Sequence, residues 1–280
     1  MKVLVTGSQG MLGGKVREVF ASADNEVVGI DLEEANIADL DSITSLIEKV
    51  HPELVIHTAA MTDVDGCEKK PESAFKINAL GTRNVMVGAK KAGSRLVYIS
   101  TDYVFDGTKK EPYNEYDPTN PISAYGSSKL AGENYVRELL PEHYIVRTAW
   151  LFGKPGKDFP SWVVAQVKKG LHPRIFQDQI GSPTYALDLA RMIQEISRKE
   201  GFGTYHVTNS GSCSRVDQAR LVLESAGLDP TAIVPVNSWL VPLSAKRPPQ
   251  SPLVSLNLAP LGISPLRSWE EATKEYCRLL

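Results

Sequence analysis

The chain opens Met1-Lys2-Val3-Leu4-Val5-Thr6-Gly7-Ser8-Gln9-Gly10-Met11-Leu12-Gly13, and this stretch decides how the fold is read. Lys2 to Thr6 is a short, continuous apolar run of the buried-strand type. Three glycines follow, and then Leu12, Val16, Val19 and Phe20 share one helical stripe between Met11 and Ala21. A strand, a glycine turn and a helix in that order make a cradle for a pyrophosphate. The glycines let the backbone approach the anion, and the free N–H groups and dipole of the helix start favour its charge. The spacing is G-x-x-G-x-x-G, which nominates Gly7, Gly10, Met11, Leu12 and Gly13 as dinucleotide contacts.

Working outward, Val27 to Ile30 reads as a second strand ending at Asp31, 18 residues after Gly13. A carboxylate there accepts hydrogen bonds from adenosine ribose hydroxyls and repels a 2′-phosphate, so the sequence leans toward NADH or use of both NADH and NADPH. Asp39-Leu40 falls where an adenine-edge contact would lie, although Asp39 is equally placed to cap a helix. Strand-like and helix-like segments then alternate. Helices are expected over Ser42–Val50, Glu72–Ala92 and Ala124–Leu140, and strands over Leu54–His57, Leu96–Ser100 and Tyr144–Thr148. Strands separated by helices require crossovers, hence an α/β fold with a doubly wound, Rossmann-type parallel sheet in residues 1–150. Residues 151–280 read as a smaller, mainly substrate-binding cap, with segments from about 178 to 208 returning to the Rossmann domain. Pro155, Pro160, Pro173, Pro183 and the run from Ser238 to Pro265 mark loops there. Helices are expected over Ala186–Lys199, Arg215–Ala226 and Trp269–Leu279, with a strand over Thr204–Thr208.

Composition narrows the class. Lys+Arg at 31 against Asp+Glu at 33 gives a net charge of −2, which argues against general nucleic-acid binding. No apolar run reaches the ~18 residues needed to span a bilayer, and the N-terminal stretch is too short for a secretory signal. Three widely spaced cysteines without a C-x-x-C pair suit a reducing cytoplasm and make a zinc site or disulfide framework unexpected.

The chemistry is carried by Ser123-Ala124-Tyr125-Gly126-Ser127-Ser128-Lys129, where a tyrosine and a lysine four residues apart share one helix face. A phenol of pKa ~10 is a poor acid–base group near neutrality unless a cation such as Lys129 favours its phenolate. Tyr125 can then hand a proton to a carbonyl oxygen as hydride arrives at carbon. Thr101, at the end of the fourth strand, should face the same crevice and hydrogen-bond the same oxygen.

Together these residues resemble the extended short-chain dehydrogenase/reductase family, and within it the sugar-nucleotide reductases. The likeness runs through His57-Thr58-Ala59-Ala60-Met61-Thr62, Asn78, the S-T-D-Y-V-F-D-G string from Ser100 to Gly107, Tyr125 to Glu133, Arg147 to Trp150, the string from Asp178 to Thr184, and Arg247-Pro248. It implies that Thr101, Tyr125 and Lys129 are catalytic. It implies that Gly10 to Leu12, Asp31, Asp39, Leu40 and Ala59 to Thr62 line the coenzyme, which Tyr125 and Lys129 also touch. Thr101, Asp102, Val104, Tyr125 and Trp150 are then expected near the substrate. Arg247 has two readings, a fork on a diphosphate or a loop ion pair. The implied reaction is transfer of hydride from NADPH or NADH to the C4 ketone of dTDP-6-deoxy-L-lyxo-4-hexulose, a dTDP-4-keto-6-deoxy sugar, giving dTDP-L-rhamnose. Some members of the group dimerise around magnesium. Gly13-Gly14-Lys15 and the single acid of Tyr185-Ala186-Leu187-Asp188 lead us to expect no structural metal, and a monomer or weak homodimer. Two rivals remain: an epimerase or 4,6-dehydratase, disfavoured by Tyr103 where dehydratases carry a glutamate, and a non-catalytic dinucleotide-binding subunit like the β regulatory subunit of methionine adenosyltransferase.

Overall fold

The computed structural model describes residues 1–280. Five strands, β1 (Lys2–Thr6), β2 (Glu26–Ile30), β3 (Leu54–His57), β4 (Arg95–Thr101) and β5 (His143–Thr148), form one sheet with an edge strand at Gly203–His206. The order across the sheet is β2-β1-β3-β4-β5 and then Gly203–His206, every pair parallel. The chain runs outward from β1 to β2 and then crosses back to β3 on the other side of β1. That reversal opens a crevice beyond the carboxyl ends of the strands.

Ten helices accompany the strands: α1 (Met11–Ala21), α2 (Leu40–Val50), α3 (Val64–Lys69), α4 (Pro71–Phe75), α5 (Thr82–Ala92), α6 (Ala124–Leu139), α7 (Phe159–Lys168), α8 (Ala186–Ser197), α9 (Arg215–Ser225) and α10 (Trp269–Cys277). Strand alternation divides the core into two layers. Val3, Val5, Leu54 and Ile56 point to the face covered by α1 and α8, against Phe20, Leu189 and Ile193. Leu4 and Val55 point the other way, against Ile43 and Ile47 of α2 and Val85 and Met86 of α5. Full burial of each such side chain is worth about 1.5–3 kcal/mol, so the layer sequence is strongly specified.

A third, smaller core of Val163, Ile175, Val216, Ala219, Leu223 and Ile233 holds α7 and α9 together beyond the sheet. From there a strap returns to the Rossmann side: Ala245 N donates to Asp65 at 3.0 Å, Ser251 Oγ to Asp102 at 2.6 Å, and Tyr113 N to the Pro252 carbonyl at 2.8 Å. No helix is long and apolar enough to cross a membrane.

Two local expectations need correction, and one element was not foreseen. The helix over Glu72–Ala92 is not uniform, because a π-helical segment at Lys76–Gly81 joins α4 to α5. Pro160 does not mark a loop. It sits in the first turn of α7, where its missing N–H has no helical partner to lose, and Asp158 caps the same end by accepting from Ser161 N at 2.9 Å. The six-residue α3 was missed because it is too short to show a helical period.

Candidate active site

The crevice is a cleft of about 1420 Å³ at the carboxyl ends of the strands, roofed by α7 and the start of α9. At one end lies the glycine loop, with Gly7, Gly10, Met11, Leu12 and Gly13 all on its wall. Gly7 adopts φ +67°, and a Cβ on Gly13 would come within 2.1 Å of the Gly7 carbonyl oxygen, so the turn can be this tight only with glycine. Asp31 closes the loop from the side: its Oδ2 accepts from Ser8 Oγ at 2.7 Å and from Gln9 N at 2.9 Å. A tight glycine turn opening a helix, with an oriented carboxylate beside it, fits a dinucleotide.

Ala59, Ala60, Met61 and Thr62 form the adjoining wall. Their loop is held by Asn78, a fully buried side chain on the π-helical segment. Asn78 Oδ1 accepts from Met61 N at 2.8 Å, while Nδ2 donates to the Met61 carbonyl and to Ser128 Oγ, both at 3.0 Å. The wider π turn aims this residue inward, so one amide joins this wall of the cleft to α6. Asn78 stood in the sequence motifs but received no role there.

Thr101, Asp102, Tyr125 and Lys129 meet on the cleft floor. Ser123 caps α6 through Gly126 N at 3.2 Å, which fixes the turn carrying Tyr125. Thr101 Oγ1 accepts from Tyr103 N at 3.2 Å and donates to Asp102 Oδ1 at 3.0 Å. Lys129 Nζ stands over the Tyr98 ring, 4.2 Å from its centroid, a favourable cation–π placement. Beneath it, fully buried Glu133 accepts from Arg147 Nε at 2.9 Å and from Ser100 Oγ at 2.6 Å.

Burial dominates the electrostatics. It pushes the Tyr125 phenol well above its ordinary range, against a smaller opposing influence of the Thr101 hydroxyl. Burial also pulls Lys129 down to about 7, partly offset by the Glu133 carboxylate. Burial thus acts on Tyr125 in the direction opposite to that expected of Lys129, and holds the phenol protonated at neutral pH. Asp102 is raised to about 6 by burial, with Ser251 and Thr101 hydrogen bonds pulling the other way.

Several expected contacts lie elsewhere. Asp39 caps α2, accepting from Ser42 N at 3.1 Å, and neither it nor the half-exposed Leu40 lines the cleft; Asn36 to Ala38 occupy that wall. Val104 is packed with Phe105, Tyr113 and Leu253 in a small core below the floor. Arg247 takes the ion-pair reading, with Nη2 at 2.5 Å from Asp65 Oδ2. Trp150 does line the cleft, and Arg215, which the sequence reading passed over, stacks on its indole.

The family described as RmlD substrate binding domain matches residues 1–280. The chain is 37% identical over 279 residues to a dTDP-4-dehydrorhamnose reductase of Mycobacterium tuberculosis, covering 97% of this chain and 90% of that protein. It is 38% identical over 275 residues to the spore coat polysaccharide biosynthesis protein SpsK of Bacillus subtilis, covering 98% and 96%. The crystal structure of dTDP-4-dehydrorhamnose reductase from Bacillus anthracis in complex with NADP superposes with a TM-score of 0.97 at 36% identity, covering 100% and 99%. The Thermus thermophilus UDP-glucose 4-epimerase, at 22% identity and a TM-score of 0.86, shares the fold. By sequence and by structure, then, this chain belongs to the RmlD substrate binding domain family, among the dTDP-4-dehydrorhamnose reductases.

Proposed function

We propose that the chain is an oxidoreductase that reduces the C4 ketone of dTDP-6-deoxy-L-lyxo-4-hexulose to the alcohol, giving dTDP-L-rhamnose. The observation that carries this reading is the convergence of Thr101, Tyr125 and Lys129 in the cleft that also holds the glycine loop. When bound, NADH or NADPH supplies the hydride. Gly7 to Gly13 hold its pyrophosphate, Asp31 its adenosine ribose, and Ala59 to Thr62 its flank. Asp31 favours NADH.

Tyr125, kept protonated by burial, delivers its proton to the ketone oxygen. Thr101 holds that oxygen beside the phenol, and its own orientation is set by Asp102 and Tyr103 N. Lys129, poised near neutrality, offers a positive charge where negative charge develops on Tyr125 after the proton leaves. Residues 1–150 bind the coenzyme, and residues 151–280 close over the sugar nucleotide. Three free, buried cysteines suit a cytoplasmic enzyme. We read the chain as a monomer or weak dimer without structural magnesium, because Asp188 is committed to Arg267 at 2.8 Å and to Asn209 Nδ2 at 2.8 Å.

The test is loss of reduced-nicotinamide absorbance on adding the 4-keto sugar nucleotide. Tyr125→Phe should lower kcat by about 10²–10⁴-fold while coenzyme affinity stays near that of the parent. A parent chain that oxidises neither coenzyme, or a phenylalanine variant with most of the parent rate, would sink the assignment.

A further inference from the structure

Arg215 is the first residue of α9, and its guanidinium lies in the cleft. Its Cζ is 3.5 Å from the Trp150 ring centroid and 4.9 Å from that of Phe159, so two aromatic side chains hold it. One hydrogen bond, Nη1 to Gln218 Oε1 at 3.0 Å, is all it donates within the chain. No carboxylate pairs with it. Three other arginines with reduced exposure are matched by contrast: Arg147 by Glu133, Arg247 by Asp65, Arg267 by Asp188 and Glu275. Removing a cation from water without a counter-charge is costly, and burial lowers the Arg215 pKa to about 10.

The surroundings are built to keep it there. Trp150 has φ +45°, a left-handed conformation that costs a non-glycine residue on the order of 1–3 kcal/mol. Its indole lies against Gly181, where a Cβ would come within 2.4 Å of Cε2. The stack is therefore a maintained feature of the cleft whose fork lacks an anion.

We propose that Arg215, clamped by Trp150 and Phe159, is the anion subsite of the cleft and takes the diphosphate of the nucleotide-sugar substrate. This rests on the reduction proposed above. With C4 of the hexose at Tyr125, the diphosphate leaves from C1 across the ring. Arg215 stands near enough for its charge to act on Asp102 and Tyr103, beside Thr101. A guanidinium fork matches paired phosphate oxygens. Lys157, the other cap cation on the cleft wall, is exposed and carries its charge at the rim.

Calorimetric titration of the full chain with dTDP tests the subsite without turnover. Arg215→Met should weaken dTDP binding by about 30-fold or more, and Arg215→Lys, which keeps charge and stem but loses the fork, by a smaller factor. Coenzyme affinity should not move. In turnover, KM for the sugar nucleotide should rise with dTDP Kd while kcat stays close to the parent value. Parent-like dTDP affinity in either folded variant, a loss falling on coenzyme affinity, or an equal loss in Lys157→Met would overturn the proposal. If the methionine variant does not fold, the lysine variant decides. Tight dTDP binding that depends on Arg215, in a parent that reduces no 4-keto sugar, would uphold the subsite and reject the reaction.

Discussion

Gly126→Ala tests whether the cleft floor works by position. Gly126 follows Tyr125 in the first turn of α6, and a Cβ there would lie 2.1 Å from the Tyr103 carbonyl oxygen and 3.0 Å from Pro121 Cβ. Neither neighbour can swing aside. The Tyr103 carbonyl is backbone in a turn tied to Thr101 Oγ1, and Pro121 is a ring near the Asn120 N to Val104 carbonyl bond of 2.9 Å. Ordinary contact for a Cβ begins near 3.4 Å, so the start of α6 must retreat from the end of β4 by about 1 Å. Tyr125 travels with α6 while Thr101 stays with β4. A misplacement of about 1 Å costs on the order of 10²-fold in rate, and overpacking costs about 1–3 kcal/mol of stability. We expect kcat to fall about 100-fold in steady-state assays. Coenzyme affinity should change much less than kcat, because Gly7 to Gly13 and Asp31 lie on other elements. The melting temperature should drop by about 2–4 °C per kcal/mol lost. An alanine variant with parent kcat and parent melting temperature would refute the argument that this contact sets the distance between phenol and hydroxyl.

Two further substitutions examine the electrostatics and the corrected contacts. Asp102 has its folded-state pKa raised from 3.8 to about 6 by burial, so its ionised form costs stability above pH 6 and the cost vanishes once both states are protonated below pH 3.8. Asp102→Asn should stabilise the chain by about 2–3 kcal/mol at pH 8, with the gain shrinking toward zero near pH 4 in urea titrations; a gain that is flat with pH would show that burial of charge is not its source. Asp39→Ala should cost about 1 kcal/mol through loss of the α2 cap and leave coenzyme Kd alone, whereas a coenzyme Kd raised several-fold would restore the adenine-edge role.

The sequence by itself determined what depends on short spacing. Apolar runs and helical stripes set the parallel sheet, and the glycine triplet, Asp31, Thr101 and the Tyr125–Lys129 pair are legible because each sits at a fixed offset from a strand end or on one helix turn. Those residues do line the cleft. Only tertiary structure decided which way the remaining side chains point and which distant segments they meet. Val104 turned into a core, Arg247 found Asp65, and Asp39 stayed on its own helix. Arg215 reaches the site from the cap with no local pattern to announce it, and Ser251 reaches it from the strap. Acidity was likewise out of reach. Spacing put an ammonium one turn from a phenol, but how far each shifts depends on how much water the folded chain removes, and burial raises the phenol and lowers the ammonium.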